Sequence, residues 1–294
     1  MEQKNNSSQC IGIVGLGLIG GSLALDLQSL GFEVHGLVHK HNTVDIARKR
    51  ELAQVISTNP RILSDCELII LALPLNQLLN PSDALINALP RSATVTDVGS
   101  VKAPVLKVWG RLHQHFVGSH PMAGTNESGV NAGKRELFQH RPWVVTPEEN
   151  TNPEALEKVR QLALALGSTW ITTQADIHDQ AVALISHLPV LISAALLKTL
   201  KDEQNSSVGA LAKSLASSGF ADTTRVGGGN PKLGTAMMAN NTSAILQALA
   251  SYQRSLGELE KAIRSQHWTQ MQTELEKTQA LRPGFLKVNN RTDR

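Results

Sequence analysis

The stretch Ile11-Gly12-Ile13-Val14-Gly15-Leu16-Gly17-Leu18-Ile19-Gly20 decides the reading of this chain. An apolar strand candidate runs straight into Gly-x-Gly-x-x-Gly, and a helical run follows as far as Gly31. Each glycine has a physical use. Gly15 permits a tight turn, Gly17 lets the backbone approach a pyrophosphate, and Gly20 allows the helix to pack closely on the strand. The helix start, at Leu18 and Ile19, then offers free N–H groups to phosphate. The motif alone is a weak signal. Its place between a strand and a helix, with a second strand at the expected distance, predicts dinucleotide binding over a ligand-free turn. That second strand is residues 32–38. An NAD site usually ends it with a carboxylate that holds the ribose hydroxyls. Here the strand ends in His39, Lys40, His41, Asn42 and Thr43, with no carboxylate before Asp45. Either this is a solvated basic turn or it suits a 2′-phosphate; the charge favours NADP.

Working outward, further strands are expected at 68–73, 93–98, 116–119, 143–146 and 169–172. Several are apolar throughout, as strands buried on both faces are. Helical stretches separate the early ones, which implies right-handed βαβ units and a mainly parallel sheet. The first domain, 10–174, is therefore read as an α/β Rossmann-type doubly wound domain. From residue 175 to 282 the strand signals vanish and an all-α domain follows. A helix is expected over 176–200, bent at Pro189, and another over 211–218. A glycine-rich segment covers 219–234, a long helix 235–264, and a last helix 268–281 stops before Pro283. Met238, Ile245, Leu249, Tyr252, Leu256, Leu259 and Ile263 fall at three- and four-residue steps, apart from one gap. Such a heptad seam packs either inside one subunit or against a second chain. The second is favoured, because a small helical domain does not easily cover several long helices. Residues 283–294 read as a polar, frayed tail.

Composition is ordinary for a globular protein of 294 residues, 41% hydrophobic and 18% charged. The net charge of +3 comes without a basic run interleaved with aromatics, so nucleic acid is not an expected partner. No stretch reads as approaching a membrane span of about 20 apolar residues. The N-terminus has no apolar signal core. Two cysteines, Cys10 and Cys66, each open an apolar run; both are expected to be buried and reduced, with no disulfide framework. A soluble, cytoplasmic protein is expected.

Candidate chemistry lies where strands end. Ligands of such sheets bind beyond the carboxyl ends of the strands. Strand 93–98 runs out into Asp97-Val98-Gly99-Ser100-Val101-Lys102, and strand 116–119 into His120-Pro121-Met122-Ala123-Gly124-Thr125. Ser100 and His120 are thus expected near a nicotinamide, and Pro121 holds His120 extended. His187 lies in an apolar helix, as a ligand contact or a satisfied core histidine. His178, nine residues earlier, points to the opposite face unless the helix is distorted; it and Asp179 are expected to cap or brace the helix start. Arg225, beside Gly227-Gly228-Gly229, suits bidentate pairing with a carboxylate, or else ties its loop to a helix end. No metal-ligand spacing is seen, and no metal is expected.

Taken together, Asp97-Val-Gly-Ser100-Val-Lys102, His120 to Thr125, Asp179-Gln-Ala-Val with Ser186-His187-Leu-Pro189, and Phe220-Ala-Asp-Thr-Thr-Arg225-Val-Gly-Gly-Gly-Asn230-Pro resemble the prephenate/arogenate dehydrogenases. The resemblance covers residues 11 to about 281 and is closest to short, stand-alone arogenate-type members. It implies a homodimer through the helical domain, and a site in which His120 bonds the substrate's ring 4-hydroxyl and Ser100 orients it. It also implies that Arg225 grips a carboxylate and His187 lies near the substrate side chain; Thr125, in the His120 motif, is placed with the substrate-binding residues. Asn126 and Glu127 are candidate acceptors for an ammonium group. The expected activity is oxidative decarboxylation of arogenate with NADP. The alternatives are prephenate with NAD or NADP, a β-hydroxyacid dehydrogenase, and a non-catalytic NADP-sensing module.

Overall fold

The computed structural model describes residues 9–125 and 127–286. Strands β1 (Cys10–Val14), β2 (Glu33–Leu37), β3 (Val55–Ser57), β4 (Leu68–Leu71), β5 (Thr94–Asp97) and β6 (Phe116–Val117) form one sheet. The order is β3-β2-β1-β4-β5-β6, with every pair parallel. Helices α1 (Leu18–Ser29), α2 (His41–Lys49), α3 (Leu75–Leu79), α4 (Asp83–Ala88) and α5 (Ala103–Leu112) lie between strands. Both sheet faces are buried because alternate side chains serve different cores. On β4, Leu68 and Ile70 join one cluster with Ile11, Ile13 and Leu23, while Ile69 and Leu71 join the other with Val14 and Trp109. The strand order reverses between β1 and β4, which opens a crevice at their carboxyl ends.

Strand 116–119 was expected to be continuous. The chain instead changes sheets at Gly118, whose carbonyl accepts from Thr146 N at 3.0 Å. A Cβ at Gly118 would stand 3.0 Å from both Leu106 Cδ2 and Thr146 Oγ1, so the crossing needs a small residue. The continuation, β7 (Ser119–Pro121), pairs antiparallel with β8 (Pro142–Val145). After α6 (Pro153–Ala165), β9 (Thr169–Thr172) pairs parallel with β8. That last strand is mostly exposed, not buried on both faces. Strand β3 was not anticipated; three residues are too few to show a period.

The second half is helical. A continuous rod consists of α7 (Ala175–Val182), a π-helical turn (Ala183–His187) and α8 (Leu188–Thr199). It is 25 residues long and contains an 18-residue window of mean hydropathy 1.9, enough by length and composition to cross a membrane, which corrects the expectation that no stretch approaches a span. Its inward polar residues His178, Asp179 and His187 are hydrogen-bonded into the site described below. Then come α9 (Ser207–Leu215), α10 (Ser218–Thr224), α11 (Pro231–Asn240), α12 (Thr242–Arg264) and α13 (Trp268–Leu286). The glycine-rich segment is therefore partly helical, with Asn230 capping α11 by accepting from Lys232 N at 3.0 Å. The expected helix 235–264 is broken at Asn241, and the last helix continues past Pro283. On that exposed turn the carbonyl that proline leaves without a donor is open to water. Of the expected tail 283–294, residues 287–294 lie outside the described residues. The domain's own core is small: Ala183, Leu188, Ile245 and Ala248, with Met238, Leu249 and Tyr252 against it.

Candidate active site

The glycine loop is shaped as its sequence predicts. Gly15 has φ +98°, and a Cβ there would meet Ala72 O at 2.4 Å; a Cβ on Gly20 would meet Gly15 O at 1.8 Å. Those two glycines close the turn. Gly17 differs: nothing lies within 4 Å of where its Cβ would stand. That open face, next to the start of α1 at Leu18 and Ile19, where no side chain caps the helix, leaves room for a phosphate. Gly15 N donates to Leu37 O at 2.8 Å, which sets the end of β2 beside the loop. His39, Lys40 and His41 follow there, all exposed, with Thr43 half-buried in the first turn of α2.

Across the crevice, a chain of hydrogen bonds joins the two domains. Asp179 on α7 accepts from Lys102 N at 2.7 Å and Ala103 N at 3.0 Å, capping α5. Asp179 Oδ1 also lies 2.8 Å from His178 Nδ1, and His178 Nε2 lies 2.9 Å from His120 Nδ1. The protons follow from the donors available. A carboxylate only accepts, so in a neutral His178 ring the proton lies on Nδ1 and Nε2 is bare. His120 must then donate from Nδ1, which leaves His120 Nε2 as a free lone pair. Burial, and after it the neighbouring His178, Lys102 and His187, hold His120 well below the usual imidazole value. At neutral pH it is an uncharged base.

The helix distortion that the sequence left open is present. Nine residues at 100° set His178 and His187 half a turn apart, and the π turn between them removes part of that offset. His187 is fully buried. Asn241, the residue that breaks the long helix, turns its amide inward and donates to Asp179 O at 2.7 Å and His187 Nδ1 at 3.2 Å. With Nδ1 accepting, neutral His187 carries its proton on Nε2, an atom that has no partner in the structure. Burial is the main cause that pushes the ring down to about 4. The site therefore holds a bare imidazole nitrogen and an unpartnered imidazole donor.

Beneath them lies a buried ion pair. Lys102, with no solvent exposure, bonds Asp97 Oδ2 and also donates to Ser119 O at 2.6 Å. Asp97 further accepts from Gly99 N at 2.8 Å and Ser119 N at 3.1 Å. The network fixes the end of β5, and so Ser100, against the strand that carries His120. Burial pulls the Lys102 ammonium down from its usual range, and the Asp97 carboxylate opposes it.

Comparison with known proteins agrees with this arrangement. The family model described as "Prephenate dehydrogenase, nucleotide-binding domain" matches residues 23–172, and "Prephenate dehydrogenase, dimerization domain" matches residues 174–277. The chain belongs to the prephenate dehydrogenase family. It is 33% identical to cyclohexadienyl dehydrogenase of Zymomonas mobilis over 261 residues, 87% of this chain and 89% of that one. It is similar to the crystal structure of Synechocystis arogenate dehydrogenase, with 40% identity, a TM-score of 0.80, and 94% and 100% of the two chains covered. It is also similar to prephenate dehydrogenase from A. aeolicus in complex with hydroxyphenyl propionate and NAD+, at 26% identity and a TM-score of 0.88, covering 96% and 100%. The protein is thus an oxidoreductase of the prephenate/arogenate dehydrogenase family with a nucleotide-binding domain.

Within this family member, not every expected site residue meets the others. His120 sits inside β7 rather than in a loop past a strand end. Ser100 is half-buried. Thr125 is exposed, its Oγ1 accepting from Glu127 N at 3.2 Å, and Asn126 lies outside the described residues. Arg225, exposed at the end of α10, shares no hydrogen bond or ion pair with the histidines among the described residues. The expectation for His178 is corrected: it orients His120 instead of bracing its own helix. Asp179 does brace a helix start, but that of α5. Lys102 and Asn241 were given no part. Lys102 follows Asp97 and Ser100, and Asn241 lies in the polar run Asn240-Asn241-Thr242-Ser243, so nothing local said what either would meet.

Proposed function

We propose that this enzyme converts arogenate to tyrosine by oxidative decarboxylation with NADP, through Ser100, His120, His187 and Arg225. The observation that carries the reading is the Asp179–His178–His120 chain, which leaves His120 Nε2 bare and the ring uncharged. That atom takes the proton of the substrate's ring 4-hydroxyl, and Ser100 keeps the hydroxyl in line. The Gly15–Gly20 loop would hold the pyrophosphate of a nicotinamide dinucleotide, which when bound would accept the hydride leaving ring C4. Loss of carbon dioxide from the quaternary ring carbon then makes the ring aromatic, so the protein needs mainly to position groups and provide one base. A positioned base contributes about 10²–10⁴-fold. The unpartnered His187 N–H suits an acceptor on the substrate side chain, and the Arg225 fork suits a carboxylate. Thr125, in the His120 motif, is kept as a substrate-binding residue.

Gly17 and the start of α1 hold the pyrophosphate. His39, Lys40, His41 and Thr43 receive the 2′-phosphate, since exposed basic groups stand where an NAD site has its carboxylate. Arogenate is favoured by the 40% identity to an arogenate dehydrogenase. A second reading, prephenate with NAD, is favoured by the A. aeolicus complex. The working unit is a homodimer through the helical domain, whose exposed leucines otherwise stand in water. The domain boundary falls at 174–175, and the setting is the cytoplasm.

Steady-state reduction of NADP and NAD, each with arogenate and with prephenate, tests the reading. Turnover dominated by arogenate with NADP is expected. Preference for prephenate or NAD overturns the substrate or cofactor assignment, and no turnover with any pair overturns the whole.

A further inference from the structure

At the other end of the nucleotide-binding sheet, the structure gathers three groups that the dehydrogenase chemistry does not use. Cys10 opens β1, Cys66 lies just ahead of β4, and His35 sits on β2. One sulfur and one ring nitrogen apiece lie within 4.8 Å of one another. Strands far apart in sequence assemble it, so spacing along the chain does not show it. The two sulfurs are 3.0 Å apart, and both cysteines are free. Gly12, two residues beyond Cys10 on β1, makes the room: a Cβ there would stand 3.2 Å from Cys66 Sγ and 2.7 Å from Leu63 Cδ2.

Two chemistries use such a cluster, a soft metal or a disulfide. The sulfur separation decides between them. A tetrahedral zinc with bonds of about 2.3 Å keeps its sulfurs roughly 3.8 Å apart. The observed 3.0 Å is well inside that, on the way to a covalent bond of about 2.05 Å. His35 also has both ring nitrogens engaged, Nδ1 at 2.7 Å from Ile62 O and Nε2 at 3.0 Å from Glu33 Oε1. The backbone is already placed. Glu67 N donates to Cys10 O at 3.1 Å, so the two cysteines occupy neighbouring strand positions. Their Cα atoms are then roughly 5–6 Å apart, within the range a disulfide spans.

We propose that Cys10 and Cys66 are a redox pair that closes into an intramolecular disulfide, a reversible staple across the base of the nucleotide-binding sheet. The oxidant is a low-molecular-weight disulfide, RSSR. The Cys10 sulfur, the more exposed of the two, attacks RSSR as thiolate and releases one RSH. Cys66 then attacks the mixed disulfide at Cys10 and releases the second. Two thiols are oxidised, one RSSR is reduced to two RSH, and the two protons leave with the products. Burial raises both thiols above their ordinary range, so closure is slow at neutral pH and quickens as pH rises. The staple joins the start of β1, about 17 Å along the chain from the glycine loop, and therefore leaves the catalytic cleft open. It encloses the whole first βαβ unit, which carries the glycine and basic loops, and so resists its opening.

The test uses the full chain, equilibrated with glutathione disulfide or with dithiothreitol, then denatured and alkylated. The expected oxidised form accepts no alkylating reagent, has lost two hydrogen atoms of mass, and reverts with dithiothreitol. It melts on the order of 5–10 °C higher, and it keeps turnover within about twofold of the reduced enzyme. Cys10→Ser and Cys66→Ser should each abolish the gain in melting temperature and leave one alkylatable thiol. Two thiols that stay fully alkylatable at equilibrium would overturn the proposal, as would a mixed disulfide at Cys10 that never closes. Protection of both thiols by zinc alone, reversed by a chelator, would also overturn it and make the cluster a metal site.

Discussion

Ile13, Leu23, Ile70 and Trp143 in the first domain are fully shielded, while Leu211, Leu215, Leu256 and Ile263 in the second stand between 50% and 70% exposed. The nucleotide-binding half completes its core within one chain. The helical half keeps only a small core of its own and carries apolar surface around it. Exposed large apolar side chains in such number mark an interaction face, and a second copy is the occupant proposed above. What joins the halves at the site is polar: Asp179 and His178 reach from α7 to the Lys102 and Ala103 backbone and to His120, while Asn241 holds Asp179 and His187 from within the helical half. The comparison teaches that one half supplies a rigid frame and the other aims the reactive nitrogen.

The sharpest way to break this division is at His120. His120→Asn should lower kcat by about 10²–10⁴-fold while the melting temperature barely moves; near-normal turnover would remove the base from the account. Next is the frame itself. Lys102→Met leaves Asp97 buried without its cation and should cost about 3–5 kcal/mol in denaturant unfolding. The first domain should lose more than the second. For the helical half, Leu256→Glu should raise the dimer dissociation constant roughly 10–100-fold, the loss expected for one buried leucine. Sedimentation would read this, and cofactor binding to the first domain should stay unchanged.

The smallest effect is a pH dependence at His187. Above 6.5 the ring is neutral in the folded and unfolded chain alike. As pH falls below that value, the unfolded chain takes up a proton that the folded chain refuses until about 4, so stability is lost across this window. The melting temperature should fall less steeply between those limits in His187→Asn than in the unaltered protein.

The frame was largely legible because its signals are local. The Gly15–Gly20 turn, the doubly apolar β4 and the basic end of β2 can each be read from fewer than ten consecutive residues. The sheet change at Gly118 was not legible, since it depends on Leu106 and Thr146 crowding one Cα. The aiming residues were hidden for the same reason. His178 and His120 are 58 positions apart, and only the π turn and the Asn241 break bring the helical side groups together. A regular periodicity predicts unbroken helices there, and the site is built where that periodicity fails. Arg225 remains exposed in the single chain, so its motif is legible while its partner is not.

The central claim is that the helical half fixes the tautomer of His120. Nitrogen NMR of ring-labelled histidine measures this directly in the full chain, with His178→Asn used to assign the coupled pair. The account predicts that at neutral pH His120 is uncharged, protonated on Nδ1 and bare on Nε2, and that the His178→Asn change disturbs this population. A proton on His120 Nε2, or a charged ring at neutral pH, would contradict it.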